Sequence, residues 1–479
     1  MDRKSGVLMH ISSLWGDFSC GSFSEAAKEF IDFLCDCGFS YWQMLPFCPV
    51  DEYGSPYKSY SAFAGNIFFI DLKKLYEEGL ITEEELSESR QDTPYACEFD
   101  RLISKRPKIL LSASKRIDTE KRIEIEKFIT ENPYIAKYCE FMALKEVNDG
   151  VEWQMWENAD KDTDVEFMYK FSQYEFFKQW KELKEYANEK GIKLIGDIPI
   201  YVASDSSDTW GDKTQFMLDE KGYPIEVAGV PPDYFSADGQ LWGNPLYNFE
   251  RMEKDGYKWW IDRIKHMFTM FDGLRIDHFR AFESFWSVPY GAETAKSGKW
   301  VKGPGMKILK HFIEEKGNGL IIAEDLGDIT EEVVKLVEES GFPGMRVFQF
   351  GFLSDGDSIH KPHNYINNSV AYSGTHDNNT LLGYLWELDD NTRREMLEYC
   401  GYTHSDWEKG YENIVRTIMA SGAGLTIFPI QDILRYGSDT RFNTPGTSEN
   451  NWMYRVTKDQ VLSIDKNYWK KMNKIYGRI

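Results

Sequence analysis

Short runs of consecutive apolar residues, each closing on polar or acidic ones, recur at residues 6–11, 41–46, 193–202, 273–278, 320–325, 344–350, 370–377 and 425–432. Unbroken apolar runs of this length are the pattern of strands buried on both faces, as in parallel sheets covered by helices. Helix-forming stretches separate them. Eight such units predict an α/β fold, a closed (β/α)8 TIM barrel rather than an open sheet.

The spacing of the runs is uneven. Roughly 150 residues lie between the second and the third, far more than a barrel helix needs. Within them, residues 83–186 are rich in charges and helix formers, for example Lys121-Arg122-Ile123-Glu124-Ile125-Glu126-Lys127-Phe128. A mainly helical insertion between strands 2 and 3, residues 67–190, is predicted, its charge runs forming solvated faces. Residues 203–250 carry Gly211, Gly222, Pro224, Gly229, Pro231, Pro232, Gly239, Gly243 and Pro245, and predict a long loop insertion after strand 3. Attached after a strand, it would overhang the C-terminal mouth, where barrel enzymes do their chemistry. The 479 residues thus read as one catalytic barrel, 1–479, bearing two insertions.

Charge narrows the partners. Against 56 Lys and Arg stand 78 Asp and Glu, a formal charge of −22, so nucleic acid and anionic membrane would be repelled. A neutral substrate is not excluded. The 31 Phe, 27 Tyr and 15 Trp fill a core, with enough left over to stack on flat, uncharged ligands such as sugars. The apolar run near the N-terminus is too short for a signal-peptide core. The seven cysteines, Cys20, Cys35, Cys37, Cys48, Cys97, Cys139 and Cys400, form no Cys-x-x-Cys pair, which predicts free thiols in a cytoplasmic chain. No His-Glu-x-x-His occurs among the eight histidines. Neither metal nor cofactor is expected.

Candidate chemistry sits at the strand ends. Asp197 lies within the third run, and Asp277, Glu324-Asp325, Asp377 and Asp432 close the fourth, fifth, seventh and eighth. A lone acid after a strand is ordinarily a helix N-cap. Acids at four strand ends converge on one barrel mouth, where they raise one another's pKa. Oxygen-ligand metal catalysis and glycoside cleavage by paired carboxylates both use such a cluster. Arg275 stands two residues before Asp277, on the same face of a strand, where it would keep the acid ionised as a nucleophile. A metal site would seldom place a fixed cation beside a ligand. His278 and His376 add neutral donors suited to sugar hydroxyls, although each alone is as readily a structural histidine.

Arg275-Ile276-Asp277-His278-Phe279-Arg280, Ala323-Glu324-Asp325-Leu326-Gly327 and Gly374-Thr375-His376-Asp377-Asn378 resemble the catalytic strand ends of the alpha-amylase clan, and more narrowly those of the 4-alpha-glucanotransferases, or amylomaltases. Further likenesses run from end to end: Ser55-Pro56-Tyr57, Ser61-Ala62-Phe63-Ala64-Gly65-Asn66, Gly196-Asp197-Ile198-Pro199, Val230-Pro231-Pro232-Asp233-Tyr234-Phe235-Ser236, Gly239-Gln240-Leu241-Trp242-Gly243-Asn244-Pro245 and Asn451-Trp452-Met453-Tyr454-Arg455. The resemblance implies transfer of α-1,4-glucan segments between maltooligosaccharides by a retaining double displacement. In it Asp277 is the nucleophile, Glu324 the acid and base, and Asp377 the carboxylate that holds the ring hydroxyls of the distorted sugar. It implies that Arg275, His278 and His376 complete the shell around that sugar and that Tyr57 stacks there. Asp233, Gln240 and Trp242 then line the acceptor side. Asn443 and Arg441 make a last contact after the eighth strand, and Ser55, Asp197 and Asn378 are further substrate contacts. A double displacement predicts carboxyl groups about 5–5.5 Å apart. The chain departs from the family pattern at residues 14–21, at Ala281 where glycine is usual and at Phe442 where methionine is.

The nearest competing reading is a hydrolase of the same clan, which shares the three acids and differs in whether water or a sugar attacks the intermediate. The long Gly/Pro-rich loop bearing Trp242 favours transfer, because an aromatic acceptor platform outcompetes water by positioning. A glucan-binding protein without activity would lack one acid, and none is missing. A metal-dependent barrel enzyme would lose activity to a chelator, and no such loss is expected.

Overall fold

The structure is a computed structural model and describes residues 1–232, 237–353 and 356–479. In chain order its strands are β1 Lys4–Leu8, β2 Tyr41–Gln43, β3 Lys193–Ile198, β4 Glu226–Val230, β5 Gln240–Pro245, β6 Gly273–Ile276, β7 Ser284–Pro289, β8 Lys299–Lys302, β9 Leu320–Ala323, β10 Gly344–Val347, β11 Ser369–Tyr372 and β12 Leu425–Pro429. Eight of them, β1, β2, β3, β6, β9, β10, β11 and β12, pair in parallel and close into a barrel. Each overlaps one of the apolar runs, and the (β/α)8 architecture is the expected one. Strands such as Leu320-Ile321-Ile322-Ala323 bury both faces, which explains why they read as continuous apolar runs. The observed strands are shorter than the runs. Asp277 and Glu324 lie just past the ends of β6 and β9, and Asp377 on the segment after β11, whereas Asp197 lies within β3 and Asp432 in the short helix Ile430–Leu434 after β12.

Between β2 and β3 the chain forms helices Leu72–Glu77, Glu83–Glu88, Phe99–Ser114, Thr119–Glu131, Pro133–Val147 and Thr163–Glu189. The last is started by Asp162, whose carboxylate accepts from the N–H groups of Asp164 and Val165. Its buried Gln173 exchanges two 2.8 Å hydrogen bonds with the backbone of Gly65, and Gln179 accepts from the Asp71 N–H at 2.8 Å. Gly65 has no room for a Cβ, because Phe176 of the same helix would lie 2.2 Å from it. The Ser61–Asn66 segment therefore packs against the helix through Gly65. It fixes the loop that presents Tyr57 to the mouth.

Residues 203–250 are not all loop. β4 and β5 pair with β7 and β8 in an antiparallel sheet of order β5-β4-β7-β8. The pairing escapes a reading of the sequence because its partners lie on either side of β6, and because β5 is exposed along most of its length. Among the described residues, no helix is long and apolar enough to cross a membrane.

Candidate active site

Asp277 follows β6 directly, and the ladder carries past the strand end: the Asp277 N–H donates to the Ile198 carbonyl at 2.9 Å, and the Glu324 N–H to the Ile276 carbonyl at 3.1 Å. His278 then turns the chain with φ 47°, a left-handed conformation that costs a histidine roughly 1 kcal/mol. The turn aims the His278 N–H at Glu324 Oε2, 2.7 Å away, while the Leu326 N–H donates to Oε1 at 2.9 Å. Glu324 is buried. Burial, and next the charge of Asp277, push its pKa up to about 8 against Arg275 and the two N–H groups. At neutral pH it is a protonated acid.

Arg275 and Asp197 are register partners on β6 and β3. The buried guanidinium bridges two carboxylates, donating to Asp197 Oδ2 at 2.6 Å and Asp277 Oδ1 at 2.7 Å. The described residues place no hydrogen bond on Asp277 Oδ2. Tyr57 donates its hydroxyl to Asp197 Oδ2 at 2.7 Å, and its ring lies parallel to that of His376, 5.1 Å away at 15°. Asp197 thus fixes both Arg275 and Tyr57. Burial raises its pKa, and Arg275 opposes that.

Asp377 accepts from Asn443 Nδ2 at 2.6 Å on Oδ1 and lies 3.2 Å from His376 Nε2 on Oδ2. Burial works against its charge, but His376 foremost, with Asn443, holds it below the usual carboxylate range. Arg441 ties the two chain segments together, donating to the backbone carbonyls of Asp377 at 3.1 Å and Asn443 at 3.2 Å. On the opposite wall, Trp242 of β5 is 38% exposed. It meets His278 edge to face at 4.8 Å and donates its indole N–H to Gln240 Oε1 at 3.1 Å. Burial brings the His278 pKa down to about 4, so the ring is neutral.

Of these groups Tyr57, Trp242, Asp277, His376, Asp377 and Asn443 border a cleft of about 750 Å³ that also takes in Lys145, Glu152 and Asp205, while buried Glu324 stands behind its lining, bonded to the N–H of His278 next to Asp277. A neutral acid, an ion-paired carboxylate and a third carboxylate in an aromatic-walled cleft have the makings of glycoside cleavage with acid catalysis. Other expected residues do different work. Asp325 accepts from the Met345 N–H at 2.6 Å and from Arg346 at 3.1 Å. Asp432 takes the Ser373 hydroxyl at 2.6 Å and the Leu381 N–H at 2.7 Å. Both join neighbouring strand ends. Asn378 accepts from the N–H and hydroxyl of Thr375, so its side chain shapes the turn presenting His376 and Asp377. Ser55 borders the cleft and accepts from the Tyr57 N–H at 3.3 Å. Asp233 lies outside the described residues. Neither Phe442 nor Ala281 displaces a catalytic group: both are buried.

The 4-alpha-glucanotransferase family pattern (glycoside hydrolase family 77) matches residues 9–461. The chain belongs to the 4-alpha-glucanotransferase family. Its relatives include the 4-alpha-glucanotransferases of Streptococcus pneumoniae, 42% identical over all of this chain and 98% of that one, and of Clostridium butyricum, 42% identical over 98% of this chain and all of that one. Among solved structures, an amylomaltase from Streptococcus agalactiae in complex with acarbose superposes with a TM-score of 0.94 at 38% identity, both chains covered in full. An amylomaltase from Corynebacterium glutamicum shares the fold, with a TM-score of 0.82 at 16% identity over 99% of this chain and 74% of that one. The activity of the chain is that of a 4-alpha-glucanotransferase.

Reading the strand ends does not assign two groups in this glucanotransferase cleft. Trp452 lies 5.6 Å from Tyr57 and 6.0 Å from His376, ring to ring, on a loop where it adopts φ 65°. Lys145, on the helix Pro133–Val147, reaches the cleft wall and pairs with Asp205 at 2.5 Å. The Asn451–Arg455 motif flags Trp452 without a role. Nothing local in the sequence marks Lys145.

Proposed function

We propose that the three acids act on α-1,4-linked maltooligosaccharides in the following roles. Asp277 attacks C1 of the donor sugar through Oδ2, the oxygen that Arg275 leaves free. The bond from C1 to the leaving O4 breaks as Glu324 gives that oxygen its proton, and the donor segment remains as an ester on Asp277. The shortened glucan departs, and the 4-hydroxyl of an acceptor takes its place. Glu324, now a carboxylate, removes the hydroxyl proton as the new C1–O4 bond forms and the ester breaks. Two inversions retain the anomeric configuration. Asp377, already ionised and aligned by Asn443, holds ring hydroxyls of the distorted sugar and binds most tightly in the transition state.

The observation that carries this reading is the pairing of neighbours: a buried Glu324 whose pKa is raised, held by two backbone N–H groups, beside an Asp277 bound to Arg275. The exposed Trp242 at the cleft wall supports an acceptor platform that favours a sugar over water. Seven free cysteines, six of them buried, support a reducing cytoplasmic setting.

Incubation of the purified chain with maltotriose tests the proposal, with glucose, total reducing ends and the oligosaccharide ladder followed together. Transfer conserves the number of glycosidic bonds. Glucose and longer maltooligosaccharides should accumulate while reducing ends stay constant. Reducing ends rising in step with glucose would make water the acceptor and overturn it.

A further inference from the structure

Arg280 carries a charge that the chemistry above leaves unused. It follows His278 by two residues, and its side chain is 4% exposed. Its guanidinium lies over the Trp300 ring, 3.9 Å from the centroid. Nη1 donates to the Asp328 backbone carbonyl, Nη2 reaches Ser284 Oγ at 3.4 Å, and Nε has no hydrogen-bond partner among the described residues. Burying a cation with a donor unsatisfied is costly, and rules of this kind are broken mainly at working sites.

The carbonyl it grips closes the Glu324 loop. Asp325 anchors the near end of that loop to β10 through Met345 and Arg346. The far end passes through Gly327, at φ 90°, a conformation that leaves the backbone free to swing unless it is held. Between the two anchors lies Leu326, whose N–H points at Glu324 Oε1. On the other side of Arg280, the β7–β8 hairpin is docked firmly. Trp286 and Trp300 are cross-strand partners with rings 5.1 Å apart. The Gly303 and Gly305 N–H groups donate at 2.7 Å to the carbonyls of Glu283 and Phe282.

We propose that Arg280, seated under Trp300, is a positioning residue for Glu324: by gripping the loop at Asp328 it keeps the Leu326 N–H on Oε1 and the carboxyl aimed at the glycosidic oxygen. This rests on the acid and base role given to Glu324. The groups facing Glu324 are Asp277 and Arg275, with the N–H groups of His278 and Leu326. Those facing Arg280 are Asp328, Glu283 and Tyr201, with Glu283 itself paired to Lys302. An N–H bonded to a carboxylate favours its ionised form. Loosening the loop therefore raises the proton affinity of Glu324.

The test is the pH profile of kcat/KM on maltotriose for the full chain, Arg280→Met and Trp300→Ala, with Glu324→Gln identifying the basic limb. In both variants that limb should move up by about half a pH unit, with roughly tenfold lower activity at the optimum for Arg280→Met. Trp300 is 40% exposed and its removal leaves the Arg280 charge in place, so Trp300→Ala reports the clamp alone and decides the matter if Arg280→Met does not fold. A folded Trp300→Ala with the wild-type basic limb overturns the proposal. Absence of disproportionation in the wild type would instead overturn the role given to Glu324.

Discussion

Three carboxyl groups of one mouth have three different environments, and the differences assign their work. Glu324 is buried against Asp277 and accepts two backbone N–H groups. Asp277 is bound to a guanidinium. Asp377 is 45% exposed and held by His376 and Asn443. The raised Glu324 pKa has a cost that can be measured. Between its ordinary value of 4.5 and about 8, the folded chain keeps a proton that the unfolded chain releases. Stability from this group is therefore full below pH 4.5 and lost as pH rises through about 8. Glu324→Gln lacks the titration. Its melting temperature relative to wild type should climb between pH 4.5 and 8 and then level, while kcat falls roughly 10²–10⁴-fold at every pH. Wild-type kcat/KM should fall above pH 8. A melting difference that does not change with pH would refute the assignment of the buried proton to Glu324.

At the scale of elements, strand-end acids divide into those that face the cleft and those that join strands, and the sequence does not distinguish them. Asp432 reads like Asp377: each closes an apolar run. In the fold Asp432 is buried and accepts the Ser373 hydroxyl and the Leu381 N–H, binding the end of β12 to the helix Leu381–Glu387. Asp432→Ala leaves both donors unpaired. It should destabilise the chain by about 1–3 kcal/mol with kcat on maltotriose unchanged, which urea unfolding and the maltotriose assay measure. A large loss of kcat would place Asp432 in the catalytic machinery. The barrel strands were legible because burial on both faces makes apolar residues dominate each run, as in Leu320-Ile321-Ile322-Ala323. The β4-β5-β7-β8 sheet was not, since β5 is an exposed edge containing Gly243 and Pro245, and two of its strands, β7 and β8, lie beyond β6. Arg275 and Asp277 were legible from their spacing on one strand. Tyr57 lies about 300 residues before Asp377 and Asn443 66 after it, and only the family resemblance brought Tyr57 and Asn443 to the site of Asp377. Their contacts depend on loops whose course local pattern does not encode.

For the whole molecule, a charge of −22 surrounds a site built for a neutral ligand. Coulomb forces act on the encounter only when both partners are charged. A maltooligosaccharide carries no charge, so the surface field contributes nothing to its capture. The Arg275–Asp197 pair of the site is out of reach of screening: its side chains are 4% and 0% exposed. The same surplus of negative charge does strain the folded state, because like charges held close repel more than in the unfolded chain. Salt should therefore act on stability and spare catalysis. From about 0.02 to 0.5 M sodium chloride, the melting temperature should rise as surface repulsion is screened, while kcat/KM for maltotriose varies less than about twofold. Initial rates and thermal melts over the same salt series measure both. A steep fall of kcat/KM with salt would mean that an exposed charge, rather than the aromatic and hydrogen-bonding walls of the cleft, governs how the donor is bound.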